Sequence, residues 1–116
     1  MATIQKTAAN FSIDQGADFS KNFTITTDGS TAYDISALTL QAQMRVSYDS
    51  SSASASFTCT IVTAASGIYK LTLSNSTTAS LTAGRYVYDV ELILSDSTIE
   101  KVHYGIVTVH PEVTKL

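Results

Sequence analysis

"LTAGRYVYDVEL", Leu81 to Leu92, follows the polar run "SNSTTAS" and leads into a second polar break, "SDST". Tyr86, Tyr88, Val90, Leu92 and then Leu94 alternate with Val87, Asp89, Glu91 and Ile93. A period of two places the first set on one face of a strand and the second on the other. A helix would scatter the same residues around its circumference. The stretch therefore reads as a long strand entered through a turn at Gly84.

The entry to that strand carries further information. In immunoglobulin-like domains, the strand after the E–F turn bears a tyrosine near its start, and its hydroxyl bonds back to the corner backbone. "TAGRYVY" puts Gly84 in the turn, Tyr86 two residues later and Tyr88 at the inward position where antibody domains carry cysteine. Gly84, Tyr86 and Tyr88 are thus expected to form a locked structural corner rather than a catalytic site. Asp89 is expected to face solvent and to pair across the sheet with Lys101.

Alternation extends in both directions. Leu38, Leu40, Ala42, Met44 and Val46 alternate with Thr39, Gln41, Gln43 and Arg45, the clearest strand in the chain. "NFSID" breaks at Gly16, and "FSKNFTIT" sets Phe19, Phe23 and Ile25 on one face, with Lys21 the odd member, where a bulge is expected. "TDGS" around Asp28–Gly29 is a turn signal. "SYDSSSASAS" reads as a mobile loop. Phe57, Cys59 and Ile61 then share a face, as do Tyr69, Leu71 and Leu73. "NSTTASL" reads as a single helical turn that drops Leu81 into the core. In "TIEKVHYGIVTV", Gly105 interrupts the alternation and suggests a bulge or a close approach. Pro111 ends that strand.

The pattern predicts an all-β fold: an immunoglobulin-like β-sandwich of about seven to eight antiparallel strands. A chain of 116 residues forms one domain, 1–116, with an N-terminal arm at 1–9 and a C-terminal tail at 111–116. The net charge of −3, with no Lys/Arg cluster, argues against nucleic acid as a partner. No run approaches the ~20 apolar residues of a membrane-spanning helix, and no membrane partner is expected. The N-terminus lacks the apolar core of a secretory signal, so synthesis in the cytoplasm without a secretory route is expected.

Candidate chemistry is thin. No phosphate-binding glycine loop or "GxSxG" elbow is present. His103 and His110, seven apart, fall on opposite faces of a regular strand, and no metal set accompanies them. Asp14 and Asp18 bracket one turn, and Asp28 and Asp34 flank a polar loop; Asx-type turn bonding suits them better than calcium. Cys59 reads as a small core residue. No catalytic residue, metal or cofactor is assigned.

The order of the motifs resembles a known family. "QGADF", "DISALTLQAQMR", "GIYKLTLS", "AGRYVYDVEL" and "GIVTVHPEVT" follow one another along nearly the whole chain. The series is similar to the immunoglobulin-like module of tailed-bacteriophage structural proteins, in particular the N-terminal domain of baseplate upper proteins and small free-standing relatives. The resemblance implies a non-enzymatic virion component that acts by protein–protein assembly with other phage virion proteins, in many copies per particle. A tail, baseplate or fibre-attachment adaptor is the expected placement, with capsid decoration as the alternative. A carbohydrate-binding adhesion module is a further alternative, which an exposed aromatic strip would favour. The arm and the tail, through Ile4 and Val113, and the serine loop, through Tyr48, are the expected assembly contacts. Tyr33 and Tyr104 are the other tyrosines outside the inward register.

Overall fold

The computed structural model describes residues 4–27 and 31–114, and the turn expected at Asp28–Gly29 lies outside them. The chain is all-β. Its strands are β1 (Thr7–Ala8), β2 (Phe11–Asp14), β3 (Phe19–Thr24), β4 (Thr39–Arg45), β5 (Ala55–Thr63), β6 (Ile68–Leu73), β7 (Gly84–Ile93) and β8 (Ile99–His110). Among the described residues a short α-helix, α1 (Asn75–Ala79), joins β6 to β7, and a 3-10 turn (Ala64–Ser66) joins β5 to β6.

The strands run in the order β1-β8-β7-β4-β5-β6-β3, and β2 continues alongside β8 beyond β1. The sheet curls because β5 serves both halves. Its first residues, Ala55–Phe57, pair with β4, and Thr58–Thr63 pair with β6. The apolar faces of the two halves close on a single core. Ile13, Ile35, Tyr69, Leu71, Val90, Leu92, Val102 and Val107 are all fully buried there. The period-two reading of β7 holds along the strand, with Tyr86, Tyr88, Val90 and Leu92 buried and the intervening residues half-buried.

Several expectations need correction. The sheet is mixed rather than antiparallel throughout, because β1 and β2 both run parallel to β8. The first and last strands of the chain meet at one edge, and no local turn links them to impose antiparallel order. Residues 4–9 of the expected N-terminal arm are likewise bound to the sheet, with Ile4 in the core and Gln5 to Ala8 exposed. Ile4 is 9% exposed and belongs to the core cluster, the Gln5 amide donates to the Thr26 carbonyl at 2.8 Å, and Ala9 N–H donates to Tyr104 O at 2.8 Å. An isoleucine close to an open apolar edge gains more by burial than by hydration.

Lys21 marks no bulge, since β3 pairs with β6 in unbroken register from Phe19 to Thr24. Lys21 stays half-buried in the inward row and carries its ammonium 5.5 Å from the centre of the Phe23 ring. A long stem covering apolar surface with its charge over an aromatic face is a tolerable inward lysine. Val46 was expected on the inward face but is 66% exposed. β4 ends at Arg45, and the serine loop turns the chain away, with Ser47 N–H donating to Ser50 Oγ at 3.1 Å.

The helical turn before β7 forms as expected. Ser74 caps it by accepting from Thr77 N–H, and Leu81 beyond it is 5% exposed. Contacts distant in sequence also hold it. Asp18 Oδ1 accepts the Asn75 N–H at 2.8 Å, and the buried Thr78 hydroxyl donates to Ala17 O at 2.8 Å. The turn between β2 and β3 therefore supports the approach to the corner.

Candidate functional site

The corner is built as the sequence suggests. Tyr86 is buried, and its hydroxyl donates to the Thr82 carbonyl at 2.6 Å, closing the loop that feeds β7. Gly84 is the first residue of β7 and takes φ of 144°, where a side chain is disfavoured. Tyr86→Phe removes the corner bond and leaves the Thr82 carbonyl to water. A loss of about 1 kcal/mol in unfolding free energy is expected, measured by urea titration. A change below ~0.3 kcal/mol would show that the corner is held by packing alone.

Tyr88 also points inward, but its bond goes elsewhere. Its hydroxyl donates to Ala9 O at 2.5 Å and ties β7 to the segment between β1 and β2. Burial pushes its hydroxyl well above the ordinary tyrosine range, so it acts as a permanent donor. On the outer face, Lys101 Nζ lies 3.5 Å from Asp89 Oδ2, the pairing the sequence suggested. Both side chains are 41% exposed, so the pair contributes little to stability.

Gln15 joins this end together and was not singled out in the sequence. Its amide N–H donates to Leu81 O at 2.7 Å, and its Oε1 accepts the Glu112 N–H at 3.0 Å. The only local signal was its position beside Gly16, a turn glycine with φ of 86°. Through Gln15 the corner touches the C-terminal tail. Around the same end stand three exposed apolar side chains. Val46 borders a cleft of about 500 Å³ with residues 80–86, Tyr48 is 77% exposed beside Arg45 and Val87, and Val113, next to Glu112, is 97% exposed. Of the expected assembly contacts, Tyr48 and Val113 are thus on the surface and Ile4 is in the core. Tyr33 and Tyr104 are half-buried, and Lys6 Nζ sits 5.5 Å from the centre of the Tyr104 ring.

The two histidines separate as their spacing requires: His103 is 4% exposed and His110 is on the surface. The irregularity in β8 is not a bulge at Gly105. Val90 pairs with His103 and Glu91 with Lys101, so Val102 is the extra residue, and Val102 and His103 are both buried. Gly105 is instead a place of close approach, where an added Cβ would collide with the Ala9 carbonyl and lie 2.6 Å from Asn10 Oδ1.

His103 reaches across the core. Its Nδ1 lies 2.6 Å from the Tyr69 hydroxyl on β6, and its ring is 4.8 Å from that of Phe23 on β3. Burial pulls its pKa down to about 4, while a hydrogen bond with the Thr24 backbone partly opposes the shift. A bond that favours the charged ring is one the ring donates, so its single N–H serves Thr24 and Nδ1 accepts the Tyr69 proton. The sequence showed a histidine in an interrupted strand, but nothing local pointed to Tyr69.

The remaining reactive groups serve the backbone or the core. Asp34 Oδ1 accepts from Ser36 N–H at 2.9 Å and Ser36 Oγ at 2.6 Å, an Asx turn that holds its carboxyl below the usual range. Asp96 does the same for Thr98. Cys59 is half-buried, and burial raises its thiol to about 11, far from a reactive thiolate. Among the described residues no group of three or more His, Cys, Asp or Glu could hold a metal ion.

No family model matches the chain, and no curated protein matches it. Among solved structures, an internalin-like protein of Listeria monocytogenes is similar at 13% sequence identity with a TM-score of 0.48. The match covers 90% of this chain and 28% of that one, so the chain spans little more than a quarter of that protein's length.

Proposed function

We propose that the chain is an immunoglobulin-like domain of the kind used in tailed-bacteriophage structural proteins, and that it acts in the virion by protein–protein assembly. The fold reading draws on the strand partners. β3, β6 and the second half of β5 group as B, E and D do in such domains, while β4, β7 and β8 group as C, F and G. The tyrosine corner stands at the start of the F-equivalent strand. The single observation that carries the assembly reading is the gathering of Val46, Tyr48 and Val113 around the corner end. Val62, Ile99 and Ile106 are exposed elsewhere on the domain, but the three most exposed apolar side chains stand near the corner and suit burial against a partner, and many copies on a symmetric particle add avidity.

The family resemblance favours the tail, baseplate or a fibre attachment as the position of the domain, with capsid decoration as the rival. Separating heads from tails of intact particles and probing each fraction for this chain distinguishes the two. The double variant Val46→Ser, Tyr48→Ser is expected to fold with unfolding free energy within ~0.5 kcal/mol of the parent. It should nonetheless be incorporated into particles at least about tenfold less, for a loss of ~1.4 kcal/mol or more at the contact. Normal incorporation would remove the corner end from the interface.

One feature favours a second reading as a carbohydrate-binding adhesion module. The exposed Tyr48 ring borders a shallow cleft of about 120 Å³ with Gln43, Arg45 and Asp89, side chains suited to sugar hydroxyls. Binding of the isolated domain on a glycan array, lost in Tyr48→Ser, would select that reading over assembly.

A further inference from the structure

We propose that His103 is an acid-sensitive clasp, whose protonation parts β8 from β3 and β6 and opens the curled sheet at low pH. The geometry makes one imidazole a polar link between the two halves within the core. It sits on β8, accepts from Tyr69 on β6 at 2.6 Å, bonds the Thr24 backbone on β3, and lies against the Phe23 ring. The bulge at Val102 turns it inward. A second proton on the ring must go to Nδ1. The Tyr69 oxygen must then accept instead of donate, and its own proton is left pointing into the apolar core. An unsatisfied buried donor and an unpaired buried charge arise together, and both are costly.

No neighbour compensates. From β3 the surrounding groups are Phe23, the Thr24 backbone and Lys21, whose ammonium lies over the Phe23 ring. From β6 comes Tyr69, and from β5 the half-buried Cys59. β7 contributes Val90 opposite His103 and the inward Tyr88, while its Asp89 and Glu91 belong to the outer face. β1 pairs Thr7 with His103, and the adjacent Lys6 lies over Tyr104. On β8 itself Lys101 is directed outward to Asp89. Among the described residues the buried polar ones are Thr78 and His103, and none of the buried ones is a carboxylate.

The sign follows from linkage. The folded pKa, about 4, lies below the ~6.5 of an unfolded histidine, so the unfolded chain binds the proton first. Stability is complete above about pH 6.5 and falls as pH drops toward 4. The Asx carboxylates of Asp34 and Asp96 have lowered pKa values, so their contribution is lost only in a more acid range.

The test uses the chain and its His103→Gln variant, which stays uncharged and can still bond Tyr69 and Thr24. Urea unfolding of the parent at pH 7.5 and 4.5 should show the folding equilibrium constant fall on the order of 100-fold. The same comparison in the variant should give a fall of less than about fivefold. An equal fall in both would overturn the proposal. A second measurement needs no variant: the chain has two histidines, and NMR follows both rings through a pH titration, with exposed His110 as the reference. The His103 ring should remain neutral to below about pH 5 and gain its proton as the folded spectrum is lost. A His103 ring that gains its proton with the folded spectrum intact, near the ordinary ~6.5 or below it, would overturn the proposal as well.

Discussion

Gly105→Ala is expected to destabilise the chain by roughly 2–4 kcal/mol, more than a single methyl normally costs on a strand. The added Cβ would overlap the Ala9 carbonyl and press on Asn10 Oδ1, at the point where the chain passes from β1 to β2 along the edge of β8. Three bonds depend on that approach. Ala9 O accepts from Tyr88, Asn10 Oδ1 accepts the Ile106 N–H at 2.9 Å, and Ala9 N–H donates to Tyr104. Displacing the segment weakens all three and loosens the hold on Ile4. The loss should appear as a lower urea midpoint, with faster amide exchange at Ala9 and Ile106 than in the remainder of β7 and β8. A variant within 0.5 kcal/mol of the parent would mean that the edge shifts freely and β1 is not anchored there.

Leu92→Ala is expected to cost about 3 kcal/mol. Leu92 is fully buried on β7, which is paired on both sides by β4 and β8, so the surrounding side chains have little freedom to fill the space. The neighbouring Ile93→Ala is the control. Ile93 lies on the opposite face and is half-buried, so its loss should be less than half as large. Equal costs at the two positions would mean that the two faces of β7 do not differ in burial as the alternation requires. Denaturant unfolding of both variants under one set of conditions makes the comparison.

The central strands and the corner were legible because their information is local. Leu40, Ala42 and Met44 on β4, and Tyr86 to Leu92 on β7, repeat every second residue, and burial follows that repeat. The Tyr86–Thr82 bond spans four residues, so a single short motif describes it. The Asp34–Ser36 turn is legible on the same ground. Lys21 and Val46 were misplaced because alternation indicates which face a residue occupies, and says nothing of a stem that can snorkel or of where a strand stops.

The sequence by itself determined the β character of this protein, the inward faces of its central strands and the tyrosine-locked entry to β7, since each depends on residues a few positions apart. Only the tertiary structure decided that the N-terminal segment joins the sheet parallel to the last strand, pairing Thr7 with His103. It also decided that Gln15 ties the corner to the tail, and that His103 finds Tyr69 across the core. Those partners lie tens of residues apart along the chain. Such pairings gain their energy only when the curled sheet has brought its edges and faces together, and no periodicity in the chain encodes which distant groups will then meet.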